Sequence, residues 1–295
     1  MTAALLEGFQ HARLDVNGIT INLHHGGNGP PLLLLHGFPQ THVIWHKVAE
    51  ALAKHFTLVM PDLRGYGDSS RPPGLPDHSN YSKRVMAQDM VEVMAVLGHA
   101  SFYLCGHDRG GRVAHRLALD HPDTVRKLMI LDISPTRTMY EATNKELATL
   151  YYHWFFLIQP APVPETLIGN SASFVLQTTL ANWGSNGAQF IDDAAYAEYE
   201  RCFCRPDAIH SACEDYRAAA SIDLEHDRDH EENRIRCPVH VLWGDHGVVG
   251  RLFRPIEDWQ EKCRLPVSGK ALPAGHFIPE QVPDLLLTEM LDFFR

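Results

Sequence analysis

The chain has 295 residues, 45% hydrophobic and 21% charged, the make-up of a globular protein large enough for a sizeable core. Its formal net charge of −10 disfavours nucleic acid or an anionic membrane surface as partner, though a cleft can still carry a local field that attracts a small anion. No apolar run reaches about 18 residues, and no basic stretch leads into an apolar one at Met1–Gly8, so the expectation is a cytoplasmic enzyme that does not enter a membrane.

The first predicted elements are strands at 13–16 and 19–23, joined at Asn17-Gly18, a pair that favours a type I′ hairpin turn. The apolar run 31–35 reads as a strand buried on both faces, and 56–60, 101–105, 128–131 and 238–243 repeat the pattern. Helical patterns occupy 42–54, 81–97, 109–120 and 280–294. Strand alternating with helix predicts a mostly parallel, doubly wound α/β sheet with helices on both faces. The alternation stops from about Pro135 to Asp227, where helical, aromatic-rich pieces such as 147–157 and 194–204 flank a proline and alanine break at 160–164. Residues 136–227 are therefore expected to be a helical cap inserted into a core domain of 1–135 and 228–295, closing over the carboxyl ends of the strands. The six cysteines, Cys202 and Cys204 included, follow no disulfide or metal spacing, so neither a metal nor another cofactor is expected.

Residues 104–112, Leu-Cys-Gly-His-Asp-Arg-Gly-Gly-Arg, make a strand-to-helix turn of the G-x-S-x-G kind with Asp108 in the place of serine. Small residues at Gly106, Gly110 and Gly111 allow the tight bend that lifts the central side chain off the sheet. A carboxylate there, at a helix N-terminus, is a nucleophile that needs no base to activate it. Attack on an sp³ carbon gives an alkyl ester, which water must hydrolyse in a second step. That step requires a base, an acid to orient the base, and donors for an oxyanion.

Over nearly its whole length the chain resembles the fluoroacetate (haloacetate) dehalogenases of the α/β-hydrolase superfamily. The resemblance is carried by His36-Gly-Phe-Pro39, Pro61–Ser69, Gly106–Arg112, Leu131-Asp132, Tyr152-His-Trp154, Tyr216 and Gly275-His276-Phe277. The first two motifs are shared by much of the superfamily, and the others narrow it. The resemblance implies an α/β-hydrolase fold, hydrolysis of a small anionic haloacid, and a homodimer.

Among nineteen histidines, His276 stands out by its loop between a short strand and the last helix, where the order nucleophile, acid, histidine puts the base. Two residues compete for the acid, Asp132 after one strand and Asp245 after the next. Asp132 is favoured, because the place a few residues past Trp243-Gly244 falls on Gly247 and Val248, and because the resemblance implies the earlier acid. The backbone amides of Phe38 and Arg109 are the expected oxyanion donors. Arg109 and Arg112 share one helix face at the positive end of its dipole, where two cations need an anion between them. A substrate carboxylate is the expected anion, in preference to acidic side chains bridging a surface pair, and the resemblance implies the same for both arginines. Read alone, His153, Trp154 and Tyr216 would be core of the cap. The resemblance implies that they receive the departing halide.

An epoxide hydrolase of the same fold is the alternative, since it shares the elbow aspartate, the His-Gly-x-Pro loop and the histidine base. Arg109 and Arg112 argue against it, because a neutral epoxide has no use for them. A non-catalytic ligand-binding protein of this fold is more remote, given Asp108, Asp132 and His276 together.

Overall fold

Eight strands form one sheet in the computed structural model, which describes residues 5–295. They are β1 (Gln10–Val16), β2 (Ile19–Gly27), β3 (Pro31–Leu35), β4 (Thr57–Pro61), β5 (Phe102–His107), β6 (Val125–Leu131), β7 (Val239–Gly244) and β8 (Ser268–Leu272). Their spatial order is β1-β2-β4-β3-β5-β6-β7-β8. β1 pairs antiparallel with β2 across Asn17 and Gly18, whose φ angles of 45° and 76° are those a type I′ turn demands. β2 is also antiparallel to β4, and every later pairing is parallel. The expected mostly parallel sheet is therefore present, with an antiparallel hairpin at one edge.

Alternation along the strands divides the core. Leu33 and Leu35 face one apolar cluster, and Leu32 and Leu34 face another. The helices that matter here are α1 (His46–Ala53), α2 (Lys83–Val96), α3 (Arg109–Asp120), α4 (Tyr152–Phe156), α5 (Pro206–Ala220) and α6 (Pro283–Phe294). Met90 of α2 and Leu117 of α3 pack on the first face, while Leu52 of α1 and Met290 of α6 pack on the second. Each fully buried Leu in these layers contributes about 1.5–3 kcal/mol. Helices on both faces thus follow from strands that are apolar on both sides.

Two predicted helices are interrupted. The expected helix 280–294 breaks at Val282, because Pro283 has no N–H and starts a new helix more readily than it continues one. The expected helix within 147–157 breaks at Tyr151, whose φ of −110° and ψ of 41° separate Lys145–Leu150 from α4. From Thr136 to Asp229 the described chain holds helices and no strand. Among the described residues no helix is long and apolar enough to cross a membrane.

Candidate active site

The turn from β5 into α3 carries Asp108 at φ 46° and ψ −115°, a conformation that costs a non-glycine residue about 1–3 kcal/mol. Close packing over-determines it. A Cβ on Gly110 would lie 2.4 Å from the His36 carbonyl oxygen, and one on Gly37 would lie 2.5 Å from the Asp108 Cβ. Only glycine lets α3 and the loop after β3 approach this closely. The Phe38 amide donates to Asp108 Oδ2 at 2.9 Å. Burial opposes the Asp108 charge, but His276 and Arg109 outweigh it and hold the carboxyl below its usual range.

Asp132, at the end of β6, also has a positive φ, 52°. Its Oδ1 accepts from the Gly244 amide at 2.9 Å, and its Oδ2 lies 2.6 Å from His276 Nδ1. A carboxylate only accepts, so Nδ1 carries a proton, and in the neutral imidazole Nε2 presents a lone pair. That Nε2 is buried with no partner among the described residues. Asp245 does not reach the histidine: its side chain is 45% exposed and meets His246 Nδ1 at 3.2 Å. The loop is held from both sides, because His107 Nε2 donates to the His276 carbonyl at 2.8 Å and the His276 amide donates to the Trp183 carbonyl at 3.0 Å.

The arginines depart from expectation. Arg109 is fully buried, but a protein carboxylate already neutralises it: Nε donates to Asp215 Oδ2 at 2.8 Å and Nη2 to Oδ1 at 2.8 Å. The expectation that Arg109 lacks an acidic partner is therefore corrected, and only Nη1 is left unpartnered among the described residues. The pairing spans 106 residues, and no local pattern in the sequence signals it. Arg112 fits the expectation better. Its Nη1 donates to Thr136 Oγ1 at 2.9 Å and the Ser134 carbonyl at 3.2 Å, its Nε is buried without a partner, and no carboxylate pairs with it among the described residues. Burial and the Arg109 charge push its pKa down.

The break at Tyr151 turns Tyr152 outward, 54% exposed, and His153 and Trp154 inward. Phe38 links them to the elbow, its ring centroid 6.1 Å from that of His153 and 5.4 Å from that of Tyr216. The Arg109 guanidinium lies 4.2 Å from the Tyr216 ring centroid, and that of Arg112 lies 4.6 Å from Trp154. The Tyr216 hydroxyl and His153 Nδ1 are buried and unpartnered among the described residues. Burial pushes the His153 pKa down to about 3, which leaves the imidazole neutral, and pushes that of Tyr216 up, which keeps its proton in place. Trp183 was not foreseen: its ring lies 4.4 Å from His153 and 5.2 Å from His276. Each buried polar atom left unpaired costs about 1–3 kcal/mol, so a group of them packed together marks a place made for a ligand rich in acceptors. Among the described residues no three of His, Cys, Asp and Glu converge to hold a metal ion.

A family model described as the α/β-hydrolase fold matches residues 30–281. The chain is 46% identical over 280 residues to a fluoroacetate dehalogenase of Burkholderia sp, covering 95% of this chain and 92% of that one. It is 33% identical over 288 residues to a soluble epoxide hydrolase of Corynebacterium sp. (strain C12), covering 96% of each. A crystal structure from Nostoc sp PCC 7120, described in the same α/β-hydrolase terms, superposes with a TM-score of 0.96 at 54% identity and covers 100% of this chain and 99% of its own. The chain belongs to the α/β-hydrolase superfamily and, within it, to the family of the fluoroacetate (haloacetate) dehalogenases.

Proposed function

We propose that the protein hydrolyses the carbon–halogen bond of haloacetates, turning fluoroacetate and water into glycolate and halide. The observation that carries this reading is the group of buried donors packed around Asp108 that have no partner among the described residues, one of them on an arginine that no described carboxylate pairs. A haloacetate offers acceptors at both ends, whereas a neutral epoxide leaves Arg112 uncompensated, which favours the haloacid over the epoxide reading.

In this reading the substrate carboxylate lies against Arg109 Nη1 and Arg112 Nε, and the halogen faces His153, Trp154 and Tyr216. The Phe38 amide occupies Oδ2 of Asp108, so Oδ1 is the attacking oxygen. Its lone pair forms the C–O bond as the C–X bond breaks and that electron pair leaves with the halide. Imidazole, indole and phenol donors replace water around the departing ion. A water molecule then gives a proton to His276 Nε2 and adds to the carbonyl carbon of the Asp108 ester, while Asp132 steadies the imidazolium. The resulting oxyanion, at the former Oδ2, is held by the amides of Phe38 and of Arg109, the latter one of the unpaired N–H groups in the first turn of α3. Collapse breaks the bond from the Asp108 carbonyl carbon to the former Oδ1 and releases glycolate, which takes back the proton from His276, and the Asp108 carboxyl then loses the second water-derived proton to solvent, which restores the carboxylate. The helices of 136–227 act as a cap over the core of 1–135 and 228–295 and exclude bulk water from the first step.

The test is halide release, followed with an ion-selective electrode, from fluoroacetate and chloroacetate, beside diol formation from styrene oxide. Halide from the two acids is expected. Turnover of the epoxide with no halide from either acid would overturn the reading.

A further inference from the structure

Asp215 lies on α5, within the helical stretch between β6 and β7, yet its side-chain partners all come from the sheet side of the molecule. They are Arg109 of α3, Lys83 of α2 and Tyr66 in the loop after β4. Its Oδ2 accepts from Arg109 Nε at 2.8 Å and from the Tyr66 hydroxyl at 2.6 Å. Its Oδ1 accepts from Arg109 Nη2 at 2.8 Å and from Lys83 Nζ, and its backbone carbonyl accepts from the same Nη2 at 2.9 Å. The next residue is Tyr216, whose ring lies under that guanidinium. A carboxylate with 0% exposure and this many donors is fixed in place, and it fixes the plane of Arg109 with it.

We infer that Asp215 is a positioning residue: it occupies two edges of the Arg109 guanidinium, leaves Nη1 for the substrate carboxylate, and keeps the cation from folding onto Asp108. The inference rests on the haloacid reading given above. Two carboxylates compete for Arg109. Asp108 is the preceding residue in the chain and feels the Arg109 charge, yet no side-chain nitrogen of Arg109 donates to it. With the charge of Asp215 gone, a buried guanidinium pairs with the anion that remains within reach, because leaving it uncompensated costs more than reorienting it. That anion is the nucleophile, and an oxygen tied to a guanidinium attacks carbon poorly. Once the ester has formed, Asp108 is uncharged and the competition ends, so the effect falls on alkylation and spares hydrolysis.

A His276→Asn background halts the reaction at the ester, so the rate at which bromoacetate alkylates Asp108 can be followed by intact-protein mass spectrometry. There Asp215→Asn is expected to slow alkylation by about 100-fold or more. In an Arg109→Leu chain the same substitution is expected to change the rate by less than about threefold, because the group it positions is absent. Asp215→Glu keeps the charge and is expected to recover at least about tenfold of the loss. Equal losses with and without Arg109, a rate within threefold of the parent, or a Glu variant no better than Asn would each overturn the inference. Should the Asn variant fail to fold by circular dichroism, the Glu variant carries the test, and its own loss must shrink to under threefold beside Arg109→Leu. Failure of the haloacid reading shows separately, as an absence of halide release by the unaltered protein.

Discussion

The two nitrogens of His276 are in different states. Nδ1 is committed to Asp132, while Nε2 is buried with no partner among the described residues, which suits the imidazole to deprotonate water and gives it no part in the displacement at carbon. His276→Asn is therefore expected to alkylate once and stop. After incubation with chloroacetate, mass spectrometry should find one adduct on the peptide containing Asp108, and unmodified protein alone would contradict the two-step scheme. Arg112 and Arg109 differ in the same instructive way. Arg109 is paired by Asp215, whereas the Arg112 guanidinium, over the Trp154 ring, donates only to a hydroxyl, a carbonyl and a thioether among the described residues. Removing Arg112 strands no carboxylate, so Arg112→Leu is expected to lower kcat/KM for chloroacetate by about 100-fold or more without lowering the melting temperature. A melting temperature that falls with activity would make Arg112 a structural residue.

At the scale of elements, what could be read in advance was local, and what could not was imposed from a distance. The elbow lies within nine residues of chain, and the helix expected at 109–120 is the helix found at Arg109–Asp120. The strand at 31–35 was equally plain, since a run apolar on both faces has few other places to go. Nothing between Leu147 and Leu157 announces the break at Tyr151, for the stretch holds neither glycine nor proline. It comes from packing His153 and Trp154 against Phe38 and Tyr216. Asp215 escaped for the same reason, because an ion pair between distant segments leaves no spacing to detect. The elbow itself yields a prediction. A Cβ on Gly110 would meet backbone, the His36 and Leu35 carbonyl oxygens at 2.4 and 2.5 Å, whereas one on Gly111 would first meet the Ile133 Cδ1 at 2.8 Å, the end of a flexible side chain. Gly110→Ala is thus expected to destabilise the protein by about 1–3 kcal/mol in urea unfolding, and by more than Gly111→Ala does. The reverse order would show that the α3–β3 contact yields more easily than the side chain.

At the scale of the whole molecule, the histidines buried on folding set how stability responds to acid. Burial pushes His107, His115 and His153 each down to about 3, while in the unfolded chain they titrate near 6.5. Above pH 6.5 all three are neutral in both states and contribute no slope. As pH falls from 6.5 toward 3 the unfolded chain takes up protons that the folded one refuses, so stability falls with pH across that window. Each histidine contributes up to about 1.4 kcal/mol per pH unit there. His42 acts in the opposite sense: against burial, Asp62 holds its pKa above 6.5, so its contribution is complete below 6.5 and is lost as pH rises through the folded value. Burial likewise pushes Glu280 up to about 8, a contribution also lost as pH rises, but the three histidines, joined by His24, which burial pushes down to about 4, outweigh these two, and the free energy of unfolding is expected to be at least about 2 kcal/mol lower at pH 5 than at pH 7. His115 separates this effect from catalysis, because its ring packs edge-on to Trp259 at 5.0 Å and touches none of the reacting groups. His115→Gln should remove the share of one of the three histidines from the slope while halide release at pH 7 is retained. An unfolding free energy that is flat from pH 7 to 5, or a slope untouched by that substitution, would mean the buried imidazoles take up protons where they lie.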